Sequence, residues 1–234
     1  MRTSTIALRN QILSACARLF LKQGYQATTI KQIAAETGCS VSSVQNLFRS
    51  KDVVLLHLVS IMFSGQFDSA RSNLDRNLPP CYIYAIETAI QLTLVEANEN
   101  LRELYIEAYA HPDIAEMIYQ KTTVELFELF GDRFDGYTVS DFYELEIGTA
   151  GIMRGYMSKK CDIYFPLDRK IERFLTLSLS CYRVQQHEID EIIKFIKGLD
   201  IKAMTANILN KLFLLLDTGF DISALSDEES GETA

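Results

Sequence analysis

The sequence predicts an all-α protein: an N-terminal three-helix helix-turn-helix unit followed by a larger helical body. Three observations carry this prediction. Apolar residues recur at helical spacing almost throughout, with no sustained strand alternation. Gly24, Gly38, Pro79-Pro80, Pro112, Gly131, Pro166 and Gly198 interrupt that pattern where helices would end or begin. Charge is divided unevenly along the chain. Met1 to Leu56 holds seven Lys or Arg against Glu36 and Asp52, a net of +5, and the 234-residue whole is −8, which leaves −13 for the rest.

The first helix runs from Arg9 to Tyr25, with Ile12, Cys16, Leu19 and Phe20 on one face and Gly24 as its stop. Thr28 and Thr29 are both N-cap types, and Thr29 with Gln32 has capping-box spacing. Ile30, Ile33 and Ala34 line one face of the second helix. Gly38 ends it by accepting the left-handed conformation of a C-terminal cap. Ser40 caps the third helix, where Val41, Val44, Leu47 and Phe48 form a stripe expected to be buried, with Ser42, Ser43, Gln45 and Asn46 facing solvent. Ser50 caps a fourth helix and places Lys51 and Asp52 in its first turn. A short helix with a small, polar outer face fits the major groove. A basic head on an acidic body suits a chain of which one end meets phosphates. Duplex DNA is the partner to which this spacing points.

Residues 8 to 60 carry ILSACARLFLKQGYQATTIKQIAAETGCSVSSVQNLFRSKDVVL within them, with LF…GY, TTIKQIA, GCS and LFRSKD in order. This stretch resembles the DNA-binding domain of the TetR family of bacterial transcriptional regulators. The resemblance implies a homodimer bound to a palindromic operator and released by a small-molecule effector in a C-terminal ligand-binding and dimerisation domain. It makes Val41 to Phe48 the recognition helix, headed by Ser40, and turns Thr28, Thr29, Ser42, Ser43, Gln45, Asn46 and Lys51 toward DNA. The family commonly carries a lysine after the serine cap and a tyrosine in mid-helix, where this chain has Val41 and Gln45. Phosphate anchoring is therefore expected from Lys31, Arg49, Lys51 and the helix N-termini.

The expected domains are 1–52 for DNA binding, 53–225 for regulation and dimerisation, and a disordered acidic tail at 226–234. The fourth helix is expected to run to Leu74 or beyond. Helices then follow over Tyr82 to Ala97, Leu101 to Tyr109, Asp113 to Gly131, Ser140 to Ser158, Asp168 to Val184, Glu188 to Lys197 and Asp200 to Leu216. By resemblance, two long helices would pair with their twins. The candidates are Asp141 to Ser158, with Ile147, Ala150, Gly151 and Met153, and Asp168 to Tyr182, with Ile171, Phe174, Leu175 and Leu179. Met62, Phe63, Tyr84, Tyr105, Tyr109, Met117, Phe127, Tyr143 and Met153 are candidates to line an effector pocket, with Arg102 or Glu107 as a charged handle.

Other classes find less support. His57, His111 and His187 are far apart, and no phosphate loop or GxSxG elbow occurs, so no catalytic residue, metal or cofactor is expected. No apolar run reaches the ~18 residues of a membrane helix, and MRTSTIALRN lacks a secretory core, which favours the cytoplasm. Five scattered cysteines fit reduced thiols there. The competing readings are a DNA-binding protein controlled by a protein partner, and a helical enzyme.

Overall fold

The computed structural model describes residues 2–63 and 78–217, with side chains for 5–61, 63 and 78–210. The expected continuation of the fourth helix to Leu74, the Met62 side chain and the acidic tail at 226–234 lie outside the described residues. Eleven α-helices occupy the rest. The head contains α1 (Arg2–Gln23), α2 (Ile30–Thr37), α3 (Val41–Phe48) and the start of α4 (Lys51–Phe63). The body adds α5 (Pro80–Ala97), α6 (Glu99–Ala110), α7 (Pro112–Phe130), α8 (Val139–Ser158), α9 (Leu167–Cys181), α10 (Gln186–Lys197) and α11 (Ile201–Asp217).

Helix α5 is the axis of the body. Its buried residues run almost without break from Tyr84 to Val95, and every helix from α6 to α11 packs on it. A helix covered on all sides has no need of a polar stripe. Its buried hydroxyls are satisfied within the helix: Thr88 donates to the Tyr84 carbonyl at 2.8 Å and Thr93 to that of Ala89 at 2.7 Å.

A buried ionic clasp ties the ends of four body helices together. Lys170 at the start of α9, fully buried, donates to Glu96 Oε1 at 2.6 Å and to the Lys159 carbonyl just after α8. Arg102 of α6 meets the other Glu96 oxygen at 3.0 Å. Burial pushes the Glu96 carboxyl up, but hydrogen bonds from Lys170 and the Cys161 N–H, with both cations nearby, outweigh it and hold the group below its usual range.

Several expected stripes prove different. Val44 and Phe48 are sealed, whereas Val41 at the start of α3 is 40 % exposed. Ala150, Met153, Ile171, Phe174, Leu175 and Leu179 are buried within the single chain, so they are core and not free for a twin. The outward apolar positions of these two helices are Val139 and Ile147 on α8 and Leu177 on α9, and α8 also carries Gly148, Gly151 and Gly155 with open space where a side chain would stand. Helix α10 packs on α5 and α9, whereas α11 packs on α5 and reaches α1.

Candidate nucleic-acid interface and interior cavity

The turn between α2 and α3 is built by its caps. Thr29 Oγ1 accepts the Gln32 N–H at 3.3 Å while the Thr29 N–H donates to Gln32 Oε1 at 2.9 Å. Gly38 adopts φ +66°, and the Cys39 N–H behind it returns to the Ala34 carbonyl. Ser40 Oγ accepts the Ser43 N–H at 3.1 Å and starts α3. Phe48 anchors α3 from below, where the Arg9 guanidinium lies 5.2 Å over its ring and His57 of α4 meets it edge-on at 5.6 Å. Arg9 donates to His57 Nε2 at 2.9 Å. Burial and that cation hold the imidazole below its usual pKa, as an accepting nitrogen requires.

This packing leaves Ser42, Gln45 and Asn46 exposed on the outer side of α3, with Ser43 half-buried and Thr29, Lys31, Ser40 and Arg49 also exposed. Arg49 closes the α3 C-terminus at φ +54°.

Two expected DNA contacts face inward. Thr28 is 1 % exposed and its hydroxyl donates to the Gly24 carbonyl at 2.8 Å, so it closes the α1–α2 loop and offers no surface to a groove. Lys51 is not a free cation. Its Nζ donates to the carbonyls of Tyr25 at 2.7 Å and Thr28 at 3.0 Å and lies 4.0 Å from the Tyr25 ring centroid. The Tyr25 hydroxyl donates in turn to Asp52. Lys51 and Asp52 thus bolt the loop to α4.

Helix α6 grips the same loop from the body. The Gln26 N–H donates to Glu103 at 3.0 Å, Gln26 Nε2 to Glu107 at 2.8 Å and Asn100 Nδ2 to the Leu21 carbonyl at 2.9 Å. Glu107 is therefore a contact between head and body, and Arg102 belongs to the Glu96 clasp. Neither is the handle of a pocket.

An interior cavity of about 30 Å³ does lie in the body. Of the candidate pocket residues, Phe63, Tyr84, Tyr109 and Met153 line it. Tyr105, Met117, Phe127 and Tyr143 do not: Tyr105 is buried core, Met117 is packed against the core, Phe127 packs edge-on against Phe142, and the Tyr143 hydroxyl donates to Glu116 at 2.7 Å. The polar wall comes from residues that sequence reasoning missed: Gln91, Thr122, Glu146 and Thr149. Burial pushes the Glu146 carboxyl up to about 8, with the Thr149 hydrogen bond opposing, and does the same to Glu87 against the hydrogen bond from Gln91. A single Glu in a helical run carries no signal that separates this burial from a solvated face. A larger open groove of about 400 Å³, lined by Ile171, Leu175, Ile193 and Ile196 among others, shares no residue with the cavity.

Among the described residues no three His, Cys, Asp or Glu stand together as metal ligands, and no helix is long and apolar enough to cross a membrane. All five cysteines are free thiols.

Residues 12–58 match the family model of bacterial regulatory proteins, tetR family. An uncharacterized HTH-type transcriptional regulator, YerO of Bacillus subtilis (strain 168), is 25% identical over 163 residues, 64% of this chain and 55% of that protein. The HTH-type transcriptional regulator HbdR of Aromatoleum sp. (strain CIB) is 47% identical over 47 residues, 20% of each. The matches thus span about half of the first relative and a fifth of the second. In three dimensions the chain is similar to RolR (NCGL1110) in complex with resorcinol, with a TM-score of 0.63 at 16% identity, covering 82% of this chain and 96% of that one. It is also similar to Thermus thermophilus FadR, a TetR family transcriptional repressor in complex with lauroyl-CoA, with a TM-score of 0.56 at 19% identity, covering 76% and 96%. The all-α architecture, with its helix-turn-helix head and larger helical body, is shared with these structures, and the resemblance of the head to the TetR family holds over residues 12–58.

Proposed function

With a tetR-type head on an all-α body as the premise, we propose that this chain is a sequence-specific transcriptional regulator, a homodimeric repressor released from a palindromic operator by a small molecule. One observation carries the reading. The short α3 is anchored by Val44 and Phe48 and presents Ser42, Gln45 and Asn46 outward from the one basic end of an acidic chain. Thr29, Lys31, Ser40, Ser43 and Arg49 flank that face, and the exposed Lys31 and Arg49 supply phosphate contacts that the inward Lys51 does not. The exposed faces of α8 and α9, with Ile147 and Leu177 outward and glycines on α8 that permit close approach, suit a twin helix pair. The cytoplasm is where such a protein meets DNA.

Control by a ligand follows from two helices that touch both regions. Helix α4 bolts the α1–α2 loop through Lys51 and Asp52 and carries Phe63 into the cavity wall. Helix α6 grips the loop through Glu103 and Glu107, holds the end of α1 through Asn100, and contributes Tyr109 to the same wall. A cavity of about 30 Å³ has room for roughly one or two waters. An organic effector must therefore displace its walls, and with them the loop that sets the angle of α3. The effector acts through its differential affinity for the two arrangements. RolR with resorcinol and FadR with lauroyl-CoA are precedents for ligands on this fold.

Selection from a random DNA pool tests the reading. The expected product is an inverted repeat whose half-sites are spaced for recognition helices about 34–36 Å apart. Recovery of unsymmetrical single sites would remove the dimer, and no enrichment at all would remove sequence-specific binding. Repeating the selection with Asn46→Ala should change the preferred base at one position of each half-site and leave the spacing intact.

A further inference from the structure

Among the described residues, the body pairs the half-buried Glu96 with cations and gives none to two fully buried carboxyls. Glu96 has both Lys170 and Arg102. Glu146, 4 % exposed, receives one hydrogen bond among the described residues, from Thr149 at 2.7 Å, and no Lys or Arg of the described residues reaches it. Thr149 is itself held by the Tyr182 hydroxyl at 2.7 Å, so the Glu146 carboxyl is fixed in place at the cavity wall. Glu87, also without a cation among the described residues, accepts from Gln91 at 3.4 Å, and Gln91 lines the cavity. A further wall atom, the Thr122 hydroxyl oxygen, is buried without a partner among the described residues.

An uncompensated carboxyl in an apolar interior is costly, and a glutamine of the same shape would make the same hydrogen bond without the charge. The surroundings give the carboxyl a use. Phe63, Tyr84, Tyr109 and Phe174 share the wall, and aromatic faces attract cations. Carboxylate and rings together form a site complementary to positive charge and hostile to an anion. The acidic body adds to the same field.

We propose that the effector is an organic cation, an ammonium group on an aromatic or similarly compact apolar frame, which pairs with Glu146 and is walled by Tyr84, Tyr109 and Phe63. This rests on the ligand-responsive reading above and assigns its chemical class. Charge balances by exchange: the cation enters and the proton held by the Glu146 carboxyl leaves to solvent. The titratable groups around Glu146 are Tyr84, Tyr109 and Tyr182, whose phenols burial keeps neutral, so the exchanged proton is the carboxyl's.

The test uses the full chain and three probes of one shape: benzylamine as its cation, benzyl alcohol as the neutral form and benzoate as the anion. Affinity is measured by calorimetry in two buffers of different ionisation enthalpy, and release of the selected operator by fluorescence anisotropy. Benzylamine should bind at least about tenfold more tightly than benzyl alcohol, with proton release, and benzoate should not bind. In Glu146→Gln the preference should fall toward one and proton release should diminish. The proton count in the wild-type chain decides the matter even where that variant folds poorly. Equal or tighter binding of the alcohol or the anion, or no binding of any probe, overturns the proposal. Binding of benzylamine without operator release upholds the cation site and sinks the ligand-gated regulator. Operator release by benzyl alcohol or benzoate alone does the reverse.

Discussion

The two working regions place polarity on opposite sides. In the head, Ser42, Gln45 and Asn46 stand outside while Val44 and Phe48 are sealed. In the body, Glu146, Glu87 and Gln91 are sealed while Ile147 and Leu177 stand outside. An outward polar face keeps its hydration until a partner arrives, so it costs the fold little. An inward polar face gives up hydration on folding and must be offset by the surrounding core. The head is thus a conventional amphipathic unit, and on the proposed reading it meets DNA at its surface. On the proposed reading, the body receives an effector inside and, through its apolar outer face, a second copy.

That contrast can be broken most forcefully at the Glu96 clasp. Lys170→Ala should cost about 3–5 kcal/mol in urea unfolding, because it removes two charge-assisted hydrogen bonds made from a fully buried position and leaves the half-buried Glu96 with Arg102 alone. A loss near zero would mean that water relaxes this site and that the body's interior is less sealed than described.

The next largest effect concerns the unpaired carboxyls. In the folded chain Glu146 and Glu87 titrate near 8, against 4.5 when unconstrained. Between those values the native state keeps protons that the unfolded state gives up. Stability should therefore fall as pH rises from about 4.5 to about 8, by on the order of a few kcal/mol. Glu146→Gln should flatten part of that slope, measured by urea unfolding at pH 5, 6.5 and 8. An unchanged slope would assign the carboxyl to a solvated position.

In the head, Lys51→Ala removes two charge-assisted hydrogen bonds from the α1–α2 loop and should cost about 2 kcal/mol. Affinity for every DNA should drop, with the salt dependence nearly intact, because the lost group was not on a phosphate. Lys31→Ala gives the smallest change: stability is kept while the slope of log affinity against log salt falls by about one. If the two variants exchanged behaviours, the inward placement of Lys51 would be wrong.

The head was legible because its signals are local. A capping box at Thr29 and Gln32, a glycine at Gly38 and a serine cap at Ser40 are satisfied within a few residues, and all three form as the spacing implies. Thr28 and Lys51 were misjudged for the opposite reason, since what turns them inward is the loop that they close. In the body, helix boundaries were recovered to within a few residues, as at Pro80–Ala97 and Val139–Ser158. The faces were not. Met153 and Leu175 have the same periodicity whether they meet a twin or their own core, and burial shows that they meet the core.

The sequence alone determined the all-α class, the helix-turn-helix, the basic head and the side of α3 that faces outward, because these depend on caps, period and charge carried in the chain itself. Only the tertiary structure decided which acids are buried. Glu96, Glu107 and Glu146 are the same residue on neighbouring helices, yet one is clasped by two cations, one grips the head and one stands unpaired at a cavity. That difference arises from which helices pack together, and no local pattern encodes it.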